Sequence, residues 1–211
     1  MQLIGQYDSP YVRRVGITLR LYDLLFEHLP WSAFGDADQI AAVSPLRRVP
    51  ALVMDDGVAL TDSWAIIDTL DQIVGPARAL IAAGGPDRRE AMRLTALAAG
   101  AADKSVSLVY EGALRSEPLD IWVDRCRAQV GGALDAIETA RAARPEPWLF
   151  GAQLSHADII LATVGRFIRE ALPGAFDVSA RPALAAHCAR AEALAVFQEI
   201  CQPFKLTPPG D

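Results

Sequence analysis

The sequence predicts an α/β domain with a mixed four-stranded sheet, followed by an all-helical domain. Up to about residue 75, short apolar runs with strand character alternate with amphipathic helical segments. Their order is strand, helix, strand, helix, hairpin, helix. After residue 87, alanine-rich stretches carry helical periodicity and none has the alternation typical of a strand. This change of pattern separates the two predicted domains.

Helix and strand signals give the elements of the first domain. Ser9 is a typical helix N-cap, and Pro10 suits the first helical position. An Asp-Gly turn between two short apolar runs predicts a hairpin. The predicted elements are a strand at Leu3–Tyr7, a helix from Pro10 to about Glu27, a strand at His28–Ala33, a helix at Asp36–Val43, hairpin strands at Ala51–Met54 and Val58–Leu60, and a helix at Ser63–Ile73.

A segment with proline and adjacent glycines separates the two domains. We expect residues 1–76 to form the first domain, residues 77–87 a linker and residues 88–211 the helical domain. The predicted helices of the second domain are Arg88–Leu114, Leu119–Arg144, Ser155–Leu172, Pro182–Cys188 and Ala189–Cys201, followed by a loose tail at Pro203–Asp211.

Composition and charge argue against several classes of function. Twenty Lys and Arg against 26 Asp and Glu give a net charge of −6, which disfavours nucleic-acid binding. No apolar run is long enough to span a bilayer, and the first residues lack the features of a signal peptide. Three cysteines without a Cys-x-x-Cys motif and three scattered histidines predict no metal site and a reducing compartment. We therefore expect a soluble cytoplasmic protein.

Three motifs follow one another in a fixed order along the chain. Ser9–Val15 reads Ser-Pro-Tyr-Val-Arg-Arg-Val, directly after the first predicted strand. Ser44–Val53 contains a Val-Pro pair, and Ser63 follows thirteen residues after this proline. Leu154–Ala162 contains Ser-His-Ala-Asp at the start of a predicted helix. Together these motifs resemble those of the cytosolic glutathione transferase superfamily over essentially the whole chain, and the first looks most like serine-type members of the tau and related bacterial groups.

The resemblance implies a thioredoxin-like fold for the first domain and glutathione as the co-substrate. A member of this family binds glutathione, holds it as the thiolate and lets it attack an electrophilic small molecule, as in detoxification. The resemblance also implies a homodimer. The alternatives are a non-catalytic binding or stress protein on the same fold, or another glutathione-dependent reaction such as isomerisation, dehalogenation or peroxide reduction. The sequence does not identify the electrophile.

Ser9 has two interpretations. As an N-cap it stabilises the helix by about 1 kcal/mol. The same position, beside the free N–H groups of a helix N-terminus, also suits a hydroxyl that stabilises a thiolate, because such surroundings lower the pKa of a thiol. The resemblance implies that Ser9 is the catalytic hydroxyl. Tyr7 and Tyr11 are close in the sequence, and a tyrosine hydroxyl could do the same chemistry, so both remain alternatives.

The resemblance also implies residues that bind glutathione. A cis bond between Val49 and Pro50 would leave the backbone of Val49 free to pair with the extended tripeptide. Ser63, at a predicted helix start, suits the γ-glutamyl carboxylate of glutathione. Asp62 suits the γ-glutamyl ammonium group, although many family members carry Glu at this position.

Arg47 and Arg48 stand where the family often has a Gly-Lys pair. One of them could bind the glycyl carboxylate of glutathione, and Arg48 is the candidate that we select. A pair of solvated charges on a loop is an equally good interpretation.

Two further groups of residues have structural interpretations. Ser155 and Asp158 fit a capping box at the start of the third long helix of the second domain. Cys126, Cys188 and Cys201 lie in apolar helical context and are predicted to pack in the core. No cysteine lies near the first helix, which disfavours disulfide-exchange chemistry.

Overall fold

The structure is a computed structural model that describes residues 1–175, 177 and 179–206. The chain divides into two compact units. One contains Met1–Leu80 together with the segment from Leu194 onward, and the other contains Ile81–Ala193. Among the described residues, no helix is both long enough and apolar enough to cross a membrane.

The part of the first unit from Met1 to Leu80 contains four strands and three helices. In chain order they are β1 (Gln2–Ile4), α1 (Pro10–Leu21), β2 (Glu27–Leu29), α2 (Ala37–Ala41), β3 (Ala51–Val53), β4 (Ala59–Thr61) and α3 (Ser63–Val74). The strand order in the sheet is β2-β1-β3-β4. β1 is parallel to β2 and antiparallel to β3, and β3 and β4 form the predicted hairpin. The mixed four-stranded sheet confirms the predicted α/β fold.

One hydrophobic core joins the sheet to α1 and α3. On the two central strands, Leu3 and Leu52 pair with each other and are fully buried. They pack with buried side chains of the two helices, namely Val12, Val15, Leu19, Ile66 and Leu70. Burial of these side chains is the main favourable contribution to folding of this unit.

α1 ends at Leu21, so its predicted extension to about Glu27 is wrong. Asp23 has a left-handed backbone with φ of 55°, a conformation that stops a helix in a turn. Phe26, which lies within the predicted helix, packs against the core from the segment between the turn at Asp23 and β2. The side chain is therefore partly removed from water without a further turn of helix.

Each strand has three residues, so β1, β2 and β3 are shorter than predicted, and β4 has the predicted length but begins one residue later. Gly5, with φ of 125°, ends β1 before Tyr7. Pro30 follows β2 directly and cannot donate a backbone hydrogen bond to a sheet, so β2 does not extend to Ala33.

Four helices form the second unit. They are α4 (Gly85–Leu114), α5 (Asp120–Ala142), α6 (His156–Ala171) and α7 (Pro182–Glu192). α6 packs against both α4 and α7, and most of its residues are buried. α4 begins at Gly85, inside the predicted linker, because Pro86 suits the first turn of a helix. The helical second part of the predicted fold is confirmed.

The last helical region is divided differently from the prediction. Instead of one helix over Ala189–Cys201, α7 continues to Glu192 and a short helix, α8 (Ala195–Glu199), follows. Leu194 between them has an extended backbone, which interrupts the helix. α8 belongs to the first unit, where Phe197 is fully buried, although the predicted helical domain included this helix.

The predicted tail at Pro203–Asp211 lies partly outside the described residues, which end at Leu206. In the described part, the amide of Lys205 donates a hydrogen bond of 3.2 Å to Oδ2 of Asp8. This part of the tail is therefore attached to the first unit.

Candidate active site

α1 begins beside Ser9, as predicted. Ser9 has an extended backbone, and its Oγ accepts a hydrogen bond of 3.4 Å from the amide of Val12. Pro10 occupies the first helical position, where an amide hydrogen would have no intrahelical acceptor. The N-cap interpretation of Ser9 is confirmed. The capping bond is long, however, and the side chain is only partly buried, so the hydrogen bond from the helix to the Ser9 oxygen is weak.

Gly5 allows Val49 to approach the first turn of α1. A Cβ atom at Gly5 would lie 2.5 Å from Cγ2 of Val12 and 2.8 Å from Cβ of Val49. Together with its positive φ, these distances leave room only for glycine. The Val49–Pro50 bond is cis, which is the geometry that the resemblance implies, and buried Pro50 directly precedes β3. The Val-Pro segment therefore lies against the helix that Ser9 caps.

α3 begins at Ser63 and is capped by Asp62. Asp62 has a left-handed backbone with φ of 72°, and its Oδ1 accepts a hydrogen bond of 2.8 Å from the amide of Trp64. A positive φ is uncommon outside glycine but is tolerated best by Asp and Asn. In this conformation Asp62 is exposed while Ser63 is buried. The two neighbouring side chains thus face different surroundings at one helix start.

A buried arginine connects α1 with the start of α3. Arg14 is 1% exposed, and its Nη1 donates a hydrogen bond of 3.4 Å to Oγ of Ser63. Its guanidinium carbon lies 5.4 Å from the ring centre of Trp64, which is within the range of a cation–π interaction. Because the oxygen of Ser63 accepts from a cation, the hydroxyl proton of Ser63 is directed toward a different acceptor.

Arg14 places a positive charge at this helix start. Burial lowers the pKa of Arg14 to about 10, and nearby Asp62, Tyr11 and Asp71 act in the opposite direction. The guanidinium therefore remains protonated at neutral pH. The N-terminus of α3 adds its own partial positive charge. Such a combination favours binding of an anionic group.

Arg14 is a site residue that the sequence motifs do not assign. The sequence does contain a signal that an arginine of α1 is buried. Arg13 and Arg14 stand between Val12 and Val15 in a helix that packs on a sheet. Adjacent residues on a helix point about 100° apart, so both arginines could not avoid the packed faces. Both are buried in the structure, and a buried charge requires partners.

The ring of Tyr7 packs beside the middle of α1. It stacks on His28 with 3.8 Å between ring centroids, and its Cε1 lies 2.9 Å from where a Cβ atom of Gly16 would be. Burial raises the pKa of Tyr7 to about 12. Tyr11, by contrast, is partly exposed on the first turn of α1.

Arg47 and Arg48 are both exposed on the loop before β3. Nη1 of Arg47 lies 3.8 Å from Oδ1 of Asp38, and both side chains of this ion pair are open to solvent. Such a pair contributes little to stability. Binding of a glycyl carboxylate by Arg48 stays a prediction.

The start of α6 is a complete capping box, as predicted. Oγ of Ser155 accepts from the amide of Asp158 at 3.4 Å and donates to Oδ2 of the same residue at 2.5 Å. Oδ2 also accepts from the amide of Ser155 at 2.8 Å, and Oδ1 accepts from the amide of Leu149 at 2.9 Å. Asp158 is fully buried. All these groups satisfy one another, which is a structural role.

His187 on α7 contacts this capping box. Its Nε2 lies 3.2 Å from the backbone oxygen of Asp158, and its ring meets Trp148 edge-on with 5.5 Å between centroids. Burial lowers the pKa of His187, and Arg141 and Arg190 act in the same direction, while Asp158 opposes them. The imidazole is therefore held in its neutral form.

The cysteines show no feature of a reactive site. Cys126 and Cys188 are buried, and burial raises the pKa of both thiols, that of Cys188 to about 12. Cys201 lies after the end of α8 and is partly exposed, so its predicted packing in a helical core is wrong. In the part of the chain that the structure describes, no group of three or more His, Cys, Asp or Glu residues is arranged to hold a metal ion.

Two models of one protein family match most of the chain. The model of the glutathione S-transferase N-terminal domain matches residues 3–78, and that of the glutathione S-transferase C-terminal domain matches residues 120–190. The first match contains every residue of the two helix starts described above, from Ser9 to Ser63.

Solved structures and a curated protein are similar to the chain. A glutathione S-transferase from Methylobacterium radiotolerans JCM 2831, in complex with glutathione sulfonate, is 25% identical with a TM-score of 0.90, over 100% of this chain and 98% of that chain. A glutathione transferase family member from Pseudomonas fluorescens Pf-5, with bound glutathione, is 28% identical with a TM-score of 0.80, over 96% and 99% of the two chains. The uncharacterized GST-like protein YibF of Escherichia coli K12 is 27% identical over 139 residues, which are 65% of this chain and 68% of that protein.

Proposed function

Because the chain belongs to the cytosolic glutathione transferase superfamily, we propose that it is a glutathione transferase. In this proposal it binds glutathione, holds the sulfur as thiolate and brings it to an electrophilic carbon of a second small molecule. The sulfur forms the new bond to carbon with its own electron pair. In a substitution the leaving group departs with the electron pair of the bond that breaks, and in an addition to an activated double bond the π electrons move to the neighbouring atom, which takes a proton from water. The observation that carries the proposal is the buried Arg14 behind Ser63, which makes the start of α3 an anion site.

The start of α3 receives the γ-glutamyl end of glutathione. The hydroxyl of Ser63 donates to the carboxylate, together with the amide of Ser63 at the helix N-terminus. Arg14 supports this bond in two ways. It supplies a positive charge, and it donates a hydrogen bond to the oxygen of Ser63, which leaves the hydroxyl hydrogen to the carboxylate. The exposed carboxylate of Asp62 attracts the γ-glutamyl ammonium group.

The remainder of the tripeptide binds along the segment before β3. The backbone of Val49, which lies against the first turn of α1, pairs with the extended peptide like a short added strand. Arg48 holds the glycyl carboxylate. These roles follow from the family relation and from the position of both residues next to β3.

The thiol binds at the start of α1, where Ser9 activates it. The helix N-terminus and a hydrogen bond from the Ser9 hydroxyl both stabilise the thiolate, which lowers the pKa of the thiol. The weak capping bond of Ser9 supports this role, because it leaves the hydroxyl available to a ligand. The packing of Tyr7 beside the middle of α1 favours Ser9 over Tyr7. Tyr11 stays an alternative source of the hydroxyl, which substitution by phenylalanine would test.

Thermal unfolding with increasing glutathione tests the proposal. Glutathione that binds only the native state should stabilise the protein by about 2.7 kcal/mol at a hundredfold excess over its Kd. Cysteinylglycine, which has the thiol but lacks the γ-glutamyl group, is the matched control and should stabilise it much less. The absence of any shift with glutathione would overturn the proposal. Binding without a lowered thiol pKa would instead favour the non-catalytic binding protein.

The family relation also leads us to propose a homodimer. Several large apolar side chains are exposed in each unit, and burial against a second copy would remove them from water. They include Val58 and Ile73 in the first unit and Leu119 and Ile121 in the second. Sedimentation equilibrium should give twice the mass of the 22.7 kDa chain. A monomer at all concentrations would contradict this assignment.

A further inference from the structure

After α7 the chain returns to the first unit, and its last described residues run along α1. Phe197 and Ile200 anchor this segment, with 0% and 2% of their surface exposed. Nε of Arg20, near the end of α1, lies 2.8 Å from Oε1 of Glu199. Through Glu199, the segment therefore also contacts α1 near its end.

Arg13 attaches the segment to the first half of α1. Its Nε donates to the backbone oxygen of Ile200 at 2.8 Å, and its Nη2 donates to that of Phe197, also at 2.8 Å. Carbonyls at the end of a helix lack intrahelical partners, and a cation is well placed to bind them. Arg13 is itself buried, so these bonds are shielded from solvent.

Farther along, the segment reaches the loop that carries Ser9. Oε1 of Gln202 accepts a hydrogen bond of 3.3 Å from the amide of Tyr7, and the amide of Lys205 donates to Oδ2 of Asp8 at 3.2 Å. Gln202 and Lys205 therefore attach the segment to Tyr7 and Asp8 in the loop before α1. The last of them lies one residue before Ser9.

We propose that Gln202 and the backbone amide of Lys205 position the loop between β1 and α1, and with it the hydroxyl of Ser9. The inference rests on the proposed function, because it assigns the C-terminal segment a part in activation of the thiol. In this arrangement Gln202 is a positioning residue. It acts on glutathione only through the backbone at Tyr7 and the hydroxyl that follows two residues later.

The geometry at Ser9 explains why such support is needed. The bond from Val12 to Oγ of Ser9 is 3.4 Å long and does not by itself hold the hydroxyl firmly. Within the loop, the amide of Ser9 donates to the backbone oxygen of Gln6 at 3.2 Å. The C-terminal segment adds attachments at the two residues between them. A catalytic hydroxyl has to be held to within about 0.5 Å, and partners outside the helix contribute to that.

Substitution of Gln202 tests the inference. Gln202→Leu removes the acceptor, whereas Gln202→Glu keeps an oxygen that can accept from the amide of Tyr7. Gln198→Leu, the same change at an exposed position of α8, is the control. For each variant we would measure the pKa of bound glutathione by the ultraviolet absorbance of the thiolate, its Kd by calorimetry, kcat and KM with a generic electrophile, and the thermal unfolding temperature.

Gln202→Leu should raise the pKa of the bound thiol and lower kcat by roughly two- to tenfold, the range expected for one lost hydrogen bond. The Kd of glutathione should change little, because the γ-glutamyl contacts lie on α3. Gln202→Glu should restore the wild-type thiol pKa, and Gln198→Leu should leave it unchanged. Lys205→Pro, which lacks the amide hydrogen, should shift the thiol pKa in the same direction as Gln202→Leu.

The outcomes separate this inference from the proposed function. A lower unfolding temperature of Gln202→Leu with a wild-type thiol pKa would mean a structural role only and would overturn the inference. So would an equal loss of kcat in Gln202→Leu and Gln202→Glu, because the hydrogen bond would then not be the cause. In both results the wild-type protein still binds and ionises glutathione. If the wild type itself binds no glutathione, the proposed function fails and the inference fails with it.

Discussion

The starts of α1 and α6 have the same sequence feature and different surroundings. Both helices have a serine at the N-cap, and in both the serine oxygen accepts an amide bond of 3.4 Å. At α6, Ser155 and Asp158 are buried and satisfy each other, and Asp158 also binds the amide of Leu149. At α1, Ser9 is partly exposed and has no carboxylate at the third helical position, where Val12 stands.

The difference shows how a capping serine becomes available to a ligand. At α6 the hydroxyl of Ser155 donates its hydrogen bond to Asp158, so this hydrogen is not available to a ligand. At α1 no such partner is built into the motif, and the hydroxyl of Ser9 lies beside a helix N-terminus that favours a negative charge. Ser63 at the start of α3 is not the capping residue, which is Asp62, but its hydroxyl proton is also directed toward another acceptor, because Arg14 donates to its oxygen.

Loss of Asp158 should have the largest effect, and on stability alone. Asp158→Ala leaves the buried amides of Leu149 and Ser155 without their acceptors, and each such loss costs about 1–3 kcal/mol. We expect the free energy of unfolding in urea to fall by about 3 kcal/mol or more. Asp124→Ala, at an exposed position of α5, is the control. Wild-type stability of Asp158→Ala, or a selective loss of glutathione affinity, would contradict the structural assignment.

The box at α6 could be predicted from the sequence because all its signals are local. Ser155 and Asp158 are three residues apart, and their contacts follow from the geometry of one helical turn. The caps of α1 and α3 were predictable for the same reason. The order of strands and helices in the first unit also followed from short-range patterns, namely apolar runs and a single Asp-Gly turn.

The remaining parts of the candidate site depend on contacts between distant residues. The bond from Arg14 to Ser63 joins residues 49 positions apart, and that from Arg13 to Ile200 joins residues 187 positions apart. No spacing rule gives such a pair from one sequence. The error at the end of α1 has the same origin, because Phe26 carries a helical spacing but packs on the core from the irregular segment before β2.

Ser9→Ala should give the next largest effect, and on chemistry. If its hydroxyl stabilises the thiolate, the pKa of bound glutathione should rise by about 1–2 units, and the thiolate fraction at neutral pH should fall up to ~100-fold. Turnover should fall with it, while the Kd of glutathione changes little. The stability loss should be no more than about 1 kcal/mol, since the capping bond is long. A pH–rate profile with a generic electrophile measures the shift.

Ser155→Ala is the matched control for Ser9→Ala. It removes the same group from the other helix start, so it should lower stability and leave the thiol pKa unchanged. An unshifted pH–rate profile of Ser9→Ala with normal turnover would remove Ser9 from the catalytic role. Tyr11→Phe would then distinguish Tyr11 from the helix N-terminus, because only a role of the Tyr11 hydroxyl predicts a shift in that variant.

Ser63→Ala should have a smaller effect, on binding. The lost hydroxyl contacts a charged carboxylate in our proposal, and a hydrogen bond to a charged group contributes about 1.5–3 kcal/mol. Calorimetry should therefore show a Kd for glutathione roughly tenfold higher or more. The pKa of the bound thiol should stay near its wild-type value, which separates this start from that of α1. An unchanged Kd would place the γ-glutamyl group elsewhere.

Acidification should affect the start of α6 through His187. Burial lowers the pKa of His187 from its ordinary value of about 6.5, so the unfolded chain binds this proton more readily than the folded one. The stability due to the neutral imidazole is fully present above the ordinary pKa and is lost as the pH falls through it toward the lowered folded value. Urea unfolding at about pH 7.5 and about pH 5.5 measures this loss, which should be smaller in His187→Gln than in the wild type.

His28, whose pKa burial also lowers, should account for part of the remaining loss. If His187→Gln loses as much stability as the wild type between the two pH values, His187 is not the group responsible, whereas a changed thiol pKa in this variant would contradict the separation of the two helix starts.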